Sequence, residues 1–129
     1  MSEALQTVLA FQAATKAAWP TGDATTLARF FSEDAEYRNG PLEPVRGREA
    51  IVVSLTQQMG MGGEVDADII NMVSDGPIVM TERVDYWKAD SRSIPLRIMG
   101  IFVVHDGVIT AWRDYFDSNE FTSQLAHQV

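Results

Sequence analysis

The chain has no cysteine, only two histidines, and ten basic residues against eighteen acidic ones in 129. Each scarcity excludes a class of chemistry. Without cysteine there is no disulfide, no thiolate nucleophile and no cysteine metal site. His105 and His127 are too few and too far apart for most histidine metal sites. One precedes a turn signal and the other lies at the chain end, so neither suits a Ser-His-Asp triad. A formal net charge of −8 is the opposite of a nucleic-acid footprint and is repelled by an anionic membrane surface. No apolar run approaches the roughly 20 residues of a membrane helix. The opening MSEALQTVLAFQ has no basic region and carries Glu3 early, unlike a secretory leader, so the expected setting is cytoplasmic. There is no GxSxG, HExxH or P-loop, and Gly60-Met61-Gly62-Gly63 lacks the preceding strand of a dinucleotide loop.

What is present suits one globular domain over residues 1–129, with 46% hydrophobic residues to fill a core. Helical spacing runs from Ser2 to Trp19, with Leu5, Val8, Leu9 and Trp19 near one side and Phe11 at its edge. Pro20 disfavours helix at Trp19. Asp23 suits the N-cap of a second, short helix that turns Leu27, Phe30 and Phe31 inward. Ala35 to Asn39 reads as a strand before the turn Asn39-Gly40-Pro41. A third helix follows Gly47, with Ile51, Leu55 and Met59 at four-residue spacing and Gly60 as its stop. The period then changes to two, giving strands over 64–74, 78–88, 94–105 and 108–116, with Asp75-Gly76 and Asp106-Gly107 as hairpin turns. Residues 117–129 read as a short helix or arm. This order predicts an α+β fold: a curved antiparallel sheet, mixed at its edge, wrapped over three N-terminal helices as a cone with an internal pocket.

Alternation points to the chemistry. One strand face carries Arg83, Asp85 and Trp87, another Trp112, Asp114 and Phe116, and a third Tyr37 and Asn39. Aspartates set beside large aromatics need compensating partners, since an unpaired buried carboxylate costs several kcal/mol. If the three faces converge, two carboxylates share one guanidinium, with a phenol and an amide nearby. Crowding in an apolar pocket raises one carboxyl pKa and leaves an acid beside a base, which suits water addition to a strained electrophile.

The segments EYRNGPLEPVRG, TERVDYW, LRIMGIF and WRDYFD resemble the limonene-1,2-epoxide hydrolase family, part of the nuclear-transport-factor-like and ketosteroid-isomerase-like superfamily of cone-shaped folds. The resemblance covers about residues 30–121. It implies hydrolysis of a small or medium apolar epoxide to a vicinal diol in one step, with neither covalent intermediate nor metal or other cofactor. By resemblance Asp114 is the general base, Tyr37 and Asn39 hold the attacking water, Asp85 is the general acid, and Arg83 bridges the aspartates. Trp87, Leu96, Ile98, Phe116 and Phe121 would line the substrate pocket, and a homodimer through the outer sheet face is implied. The glycine-rich stretch from Met59 to Glu64 departs from a bulkier expected wall, and Trp87 is large for its position.

Ordinary readings stand beside these. Arg83 and Asp85 could form a solvated cross-strand pair with Arg97, and Asp114 an acidic strand end with Asp117. Tyr37 and Asn39 alone suit sheet packing and a turn, while Trp112 and Phe102 suit the core. An isomerase or cyclase of the same cone fold, or a non-catalytic ligand-binding module, are the rival functions.

Overall fold

In the computed structural model, which describes residues 2–127, the chain forms helices α1 (Glu3–Ala18), α2 (Arg48–Met59) and α3 (Ser118–His127). Its strands are β1 (Phe31–Asn39), β2 (Val45–Arg46), β3 (Glu64–Asp75), β4 (Ile78–Ala89), β5 (Arg92–His105) and β6 (Val108–Tyr115). They make a single sheet in the order β2-β1-β6-β5-β4-β3. All pairings are antiparallel except β1 with β6, which run parallel. The expected mixed edge is therefore the β1–β6 junction, one strand in from β2.

Local chemistry accounts for the elements. Ser2 Oγ accepts the Leu5 N–H at 3.1 Å and caps α1. The helix ends at Ala18, and Trp19–Thr21 tightens into a 3-10 turn around Pro20. Phe11, placed at the edge by spacing, is instead at the centre of the buried face with Val8 and Ala4, whereas Leu5 and Leu9 are only half-buried. The second helix is a 3-10 segment, Thr25–Phe30, not an α-helix. Six residues are too few for a stable α-helix, and β1 claims Phe31, four residues earlier than expected. Ala24, not Asp23, holds the N-cap position, and no side chain caps the segment; Asp23 Oδ1 accepts the Thr25 N–H at 2.9 Å from one residue further out.

Asp106-Gly107 closes as expected, but the β3–β4 hairpin turns one residue later than expected, on Gly76-Pro77, because Asp75 still pairs with Ile78. In the β5–β6 hairpin both turn residues have positive φ, Asp106 at 51° and Gly107 at 76°, which matches the twist of the strands. A third two-residue turn, Asp90-Ser91, joins β4 to β5. Pairing of β5 with β6 starts only at Met99 opposite Tyr115, so residues 92–98 present a free edge. Pro95 is tolerated there because it need not donate across the sheet. Helix α3 covers this edge: Gln124 donates to the Pro95 carbonyl at 2.9 Å, and Glu120 accepts from the Arg97 backbone N–H at 3.2 Å.

Helices α1 and α2 lie on the concave face. Phe11 sits edge-on to Phe31, Phe102 and Trp112, and Trp112 stacks on Phe102 and Tyr37. This aromatic plug fills one half of the cone. Beyond it, between the plug and α3, an apolar cavity of about 320 Å³ remains. No helix among the described residues is long and apolar enough to cross a membrane.

Candidate active site

Three neighbouring strands align Thr81, Gly100 and Asp114 across the sheet. Two residues along β4 from Thr81 stands Arg83, and two further is Asp85, all on the concave face. Arg83 is 2% exposed and Asp114 4%, while Thr81 is fully buried. The guanidinium donates through Nε to Asp85 Oδ1 at 2.9 Å and through Nη2 to Asp85 Oδ2 at 3.3 Å. The same Nη2 donates to Asp114 Oδ2 at 2.5 Å, and Nη1 donates to Thr81 Oγ1 at 3.1 Å. Asp114 Oδ1 accepts the Trp112 indole N–H at 2.9 Å. One cation thus links two carboxylates on different strands, Asp85 through both oxygens and Asp114 through Oδ2 alone.

Tyr37 is in register with Trp112, and Asn39 with Asp114, which carries the phenol and amide of β1 to the same end of the cone. The Tyr37 ring is stacked on Trp112 at 4.3 Å between centroids, and its Oη accepts from Gln58 Nε2 at 3.1 Å. Trp87, Leu96, Ile98, Phe116 and Phe121 line the same cavity as the five polar residues. Every side chain singled out from the sequence therefore faces one space. The ordinary readings of the charges fail: Arg97 turns outward to Glu120 at 2.9 Å, and Asp114 is buried against Arg83 and Trp112 rather than sharing a patch with Asp117.

Burial raises the Asp85 carboxyl above its ordinary value, and the charge of Asp114 adds to this; Arg83 pulls the other way without cancelling it. Burial also lifts the Tyr37 phenol well above the usual range, so it keeps its proton. For Arg83 burial disfavours the cation, but the two carboxylates together outweigh it and hold the pKa above normal. Among the described residues no cluster of three or more His, Cys, Asp or Glu side chains could hold a metal.

Four contributors escaped the sequence reading. Thr81 lies on the Arg83 face and was visible by alternation. Gln58 falls three residues after Leu55 on the buried side of α2, a polar residue on an apolar stripe. Trp112, assigned to the core, is also the Asp114 donor. Gly100 was legible only as a glycine in mid-strand, a sign of close approach. A Cβ there would lie 2.4 Å from Arg83 Nη1 and 2.6 Å from Asp114 Oδ1. The stretch from Met59 to Glu64 has a clear role too. The Gly62 carbonyl accepts both the Trp19 and the Trp87 indole N–H at 2.9 Å, so two tryptophans supply the bulk that the glycines lack. Gly63, at φ 69°, passes close under Lys88, whose carbonyl would sit 2.4 Å from a Cβ.

Comparison with known proteins places the fold and the family. The architecture is that of NTF2-like cone folds; a structure of an NTF2-like protein from Anabaena variabilis superposes with a TM-score of 0.75 at 17% identity, covering 92% of each chain. The chain belongs to the family defined by the limonene-1,2-epoxide hydrolase catalytic domain, which matches residues 2–127. It is 33% identical over 95 residues to epoxide hydrolase EphG of Mycobacterium tuberculosis, a match spanning 74% of this chain and 63% of that protein's length. A solved LEH-like epoxide hydrolase from M. tuberculosis is 29% identical with a TM-score of 0.76, covering 97% of this chain and 90% of that one.

Two outcomes follow from the site's physics. Gly100→Ala should lower stability by about 1–3 kcal/mol through overpacking against the charge cluster, whereas Gln57→Ala, on the exposed side of α2, should change it by less than about 0.5 kcal/mol; urea unfolding measures both. Because the folded Asp85 pKa is raised, its contribution to stability is full below the unfolded pKa and is lost as pH rises through the folded value. Asp85→Asn should therefore flatten the decline in stability above the ordinary aspartate range, which a urea-unfolding series against pH reads directly.

Proposed function

We propose that the protein is a cofactor-independent epoxide hydrolase that adds water to a small or medium apolar epoxide and releases a vicinal diol. The observation that carries this reading is the Arg83 guanidinium shared between Asp85 and Asp114 at the apolar cavity, with Tyr37 and Asn39 beside Asp114. Family membership supports it. Asp114 removes a proton from a water held by Tyr37 and Asn39. The water oxygen forms a bond to one epoxide carbon from the rear as the ring C–O bond breaks. The electrons of that bond move to the epoxide oxygen, which takes the proton of Asp85. Oδ2 of Asp85 is the oxygen suited to carry that proton, because its contact with Nη2 is the longest Arg83 makes to a carboxylate.

Trp87, Leu96, Ile98, Phe116 and Phe121 give the substrate an apolar bed, and the cavity volume of about 320 Å³ fits a small or medium epoxide. A proton shuttle of the isomerase or cyclase kind needs one base and an oxyanion donor. It has no use for a cation clasped between two carboxylates, so the hydrolase reading is preferred over that one and over passive binding.

A homodimer through the convex sheet face belongs to the same proposal. That face exposes Val73, Met80, Met99 and Tyr115, apolar surface from four adjacent strands. Light scattering should give twice the chain mass, and Met99→Glu with Met80→Glu should return it to one; a monomeric wild-type chain would contradict the dimer.

Single turnover in oxygen-18 water is the test of the chemistry. The label should enter the diol at one carbon with inversion and should never appear in the protein, since no aspartyl ester forms. Asp114→Asn and Asp85→Asn should each reduce the rate by roughly 10²–10⁴-fold or more with the fold intact. Label recovered in an aspartate, or full activity in Asp114→Asn, would reject the mechanism.

A further inference from the structure

Gln58 reaches into the cavity from α2, whose other lining residue there is the apolar Leu55. Its Nε2 donates to Tyr37 Oη at 3.1 Å. A phenol has one O–H to donate and accepts on its oxygen. With the oxygen engaged by Gln58, and the phenol held protonated by burial, the Tyr37 O–H is left to donate into the cavity.

That direction matters for the water assigned to the site. A water has two protons and two lone pairs. If it gives its protons to Asp114 and to the Asn39 carbonyl oxygen and accepts from Tyr37, only one lone pair remains, and it points at the electrophile. If the phenol instead accepted from the water, one of those proton contacts would be broken and the lone pair would lose its aim. Rate is sensitive to such alignment, because the reacting atoms must meet in a near-attack arrangement.

We propose that Gln58 is a positioning residue that fixes Tyr37 as a hydrogen-bond donor and so orients the nucleophilic water; this rests on the hydrolase reading. It acts through Tyr37 and touches no reacting atom. The Tyr37 ring cannot tilt away to compensate, since it is stacked on Trp112 and buried.

The experiment is a double-mutant cycle on epoxide hydrolysis with Gln58→Met and Tyr37→Phe. Gln58→Met should lower kcat about tenfold, the size of one neutral hydrogen bond, with KM changed less than about twofold. In the Tyr37→Phe background the same change should have no further effect on kcat, because no hydroxyl is left to direct. Gln58→Glu serves as a second variant if Gln58→Met unfolds. Its carboxylate accepts from Tyr37 and reverses the phenol, so it should lose more activity than Gln58→Met although it keeps size and a hydrogen bond. Independent, multiplying losses in the cycle, or wild-type kcat in Gln58→Glu, would overturn the role while leaving the hydrolase reading intact. Absence of epoxide turnover by the wild-type chain would overturn both.

Discussion

One guanidinium has to balance two carboxylates inside an apolar cone, and most of the site's architecture follows from that constraint. Arg83 is buried and always charged. With both aspartates ionised the cluster carries a net negative charge against greasy walls, which costs several kcal/mol. One added proton makes it neutral. In the proposed reaction that proton passes from Asp85 to the epoxide oxygen while Asp114 takes another from water, so the cluster stays neutral from start to finish. Lysine could not replace Arg83, because a point charge cannot span Nε, Nη1 and Nη2 contacts to three side chains.

The rest of the fold makes room for this cluster and fixes its partners. Gly100 removes a side chain where Arg83 and Asp114 meet. Thr81 and Trp112 hold the outer donors and acceptors, so the ions have fixed partners on strands of a rigid sheet rather than on loops. Phe11, Phe102 and Trp112 fill the cone on one side of the cluster, and α3 covers the free edge of β5 on the other. Two tryptophans tied to the Gly62 carbonyl form the remaining wall.

Much of this was legible in the sequence because strand periodicity is rigid. Once 78–88 and 108–116 read as strands, Arg83 with Asp85 and Trp112 with Asp114 had to share faces, and Asp106-Gly107 set the β5–β6 hairpin, while Asp75 joined its strand and left the turn to Gly76-Pro77. The resemblance supplied what alternation could not, the convergence of β1 with β6, since a parallel pairing between distant segments leaves no local signal. The 3-10 segment Thr25–Phe30 was misread as α-helix because apolar spacing over six residues suits either. Phe11 was misplaced because the buried arc of α1 is centred on the sheet's aromatic plug rather than on the leucines. Gln58 escaped because a helical glutamine is ordinarily solvated, and only the stripe shared with Leu55 set it apart.

The central claim is that a single proton resides on the cluster and that Asp85 holds it. Carbon-13 NMR of the aspartate side-chain carboxyls at neutral pH, with Asp85→Asn and Asp114→Asn samples assigning the signals, tests this directly. The account predicts a protonated carboxyl at Asp85 and an ionised one at Asp114. Two ionised carboxylates, or a proton on Asp114 instead, would contradict it.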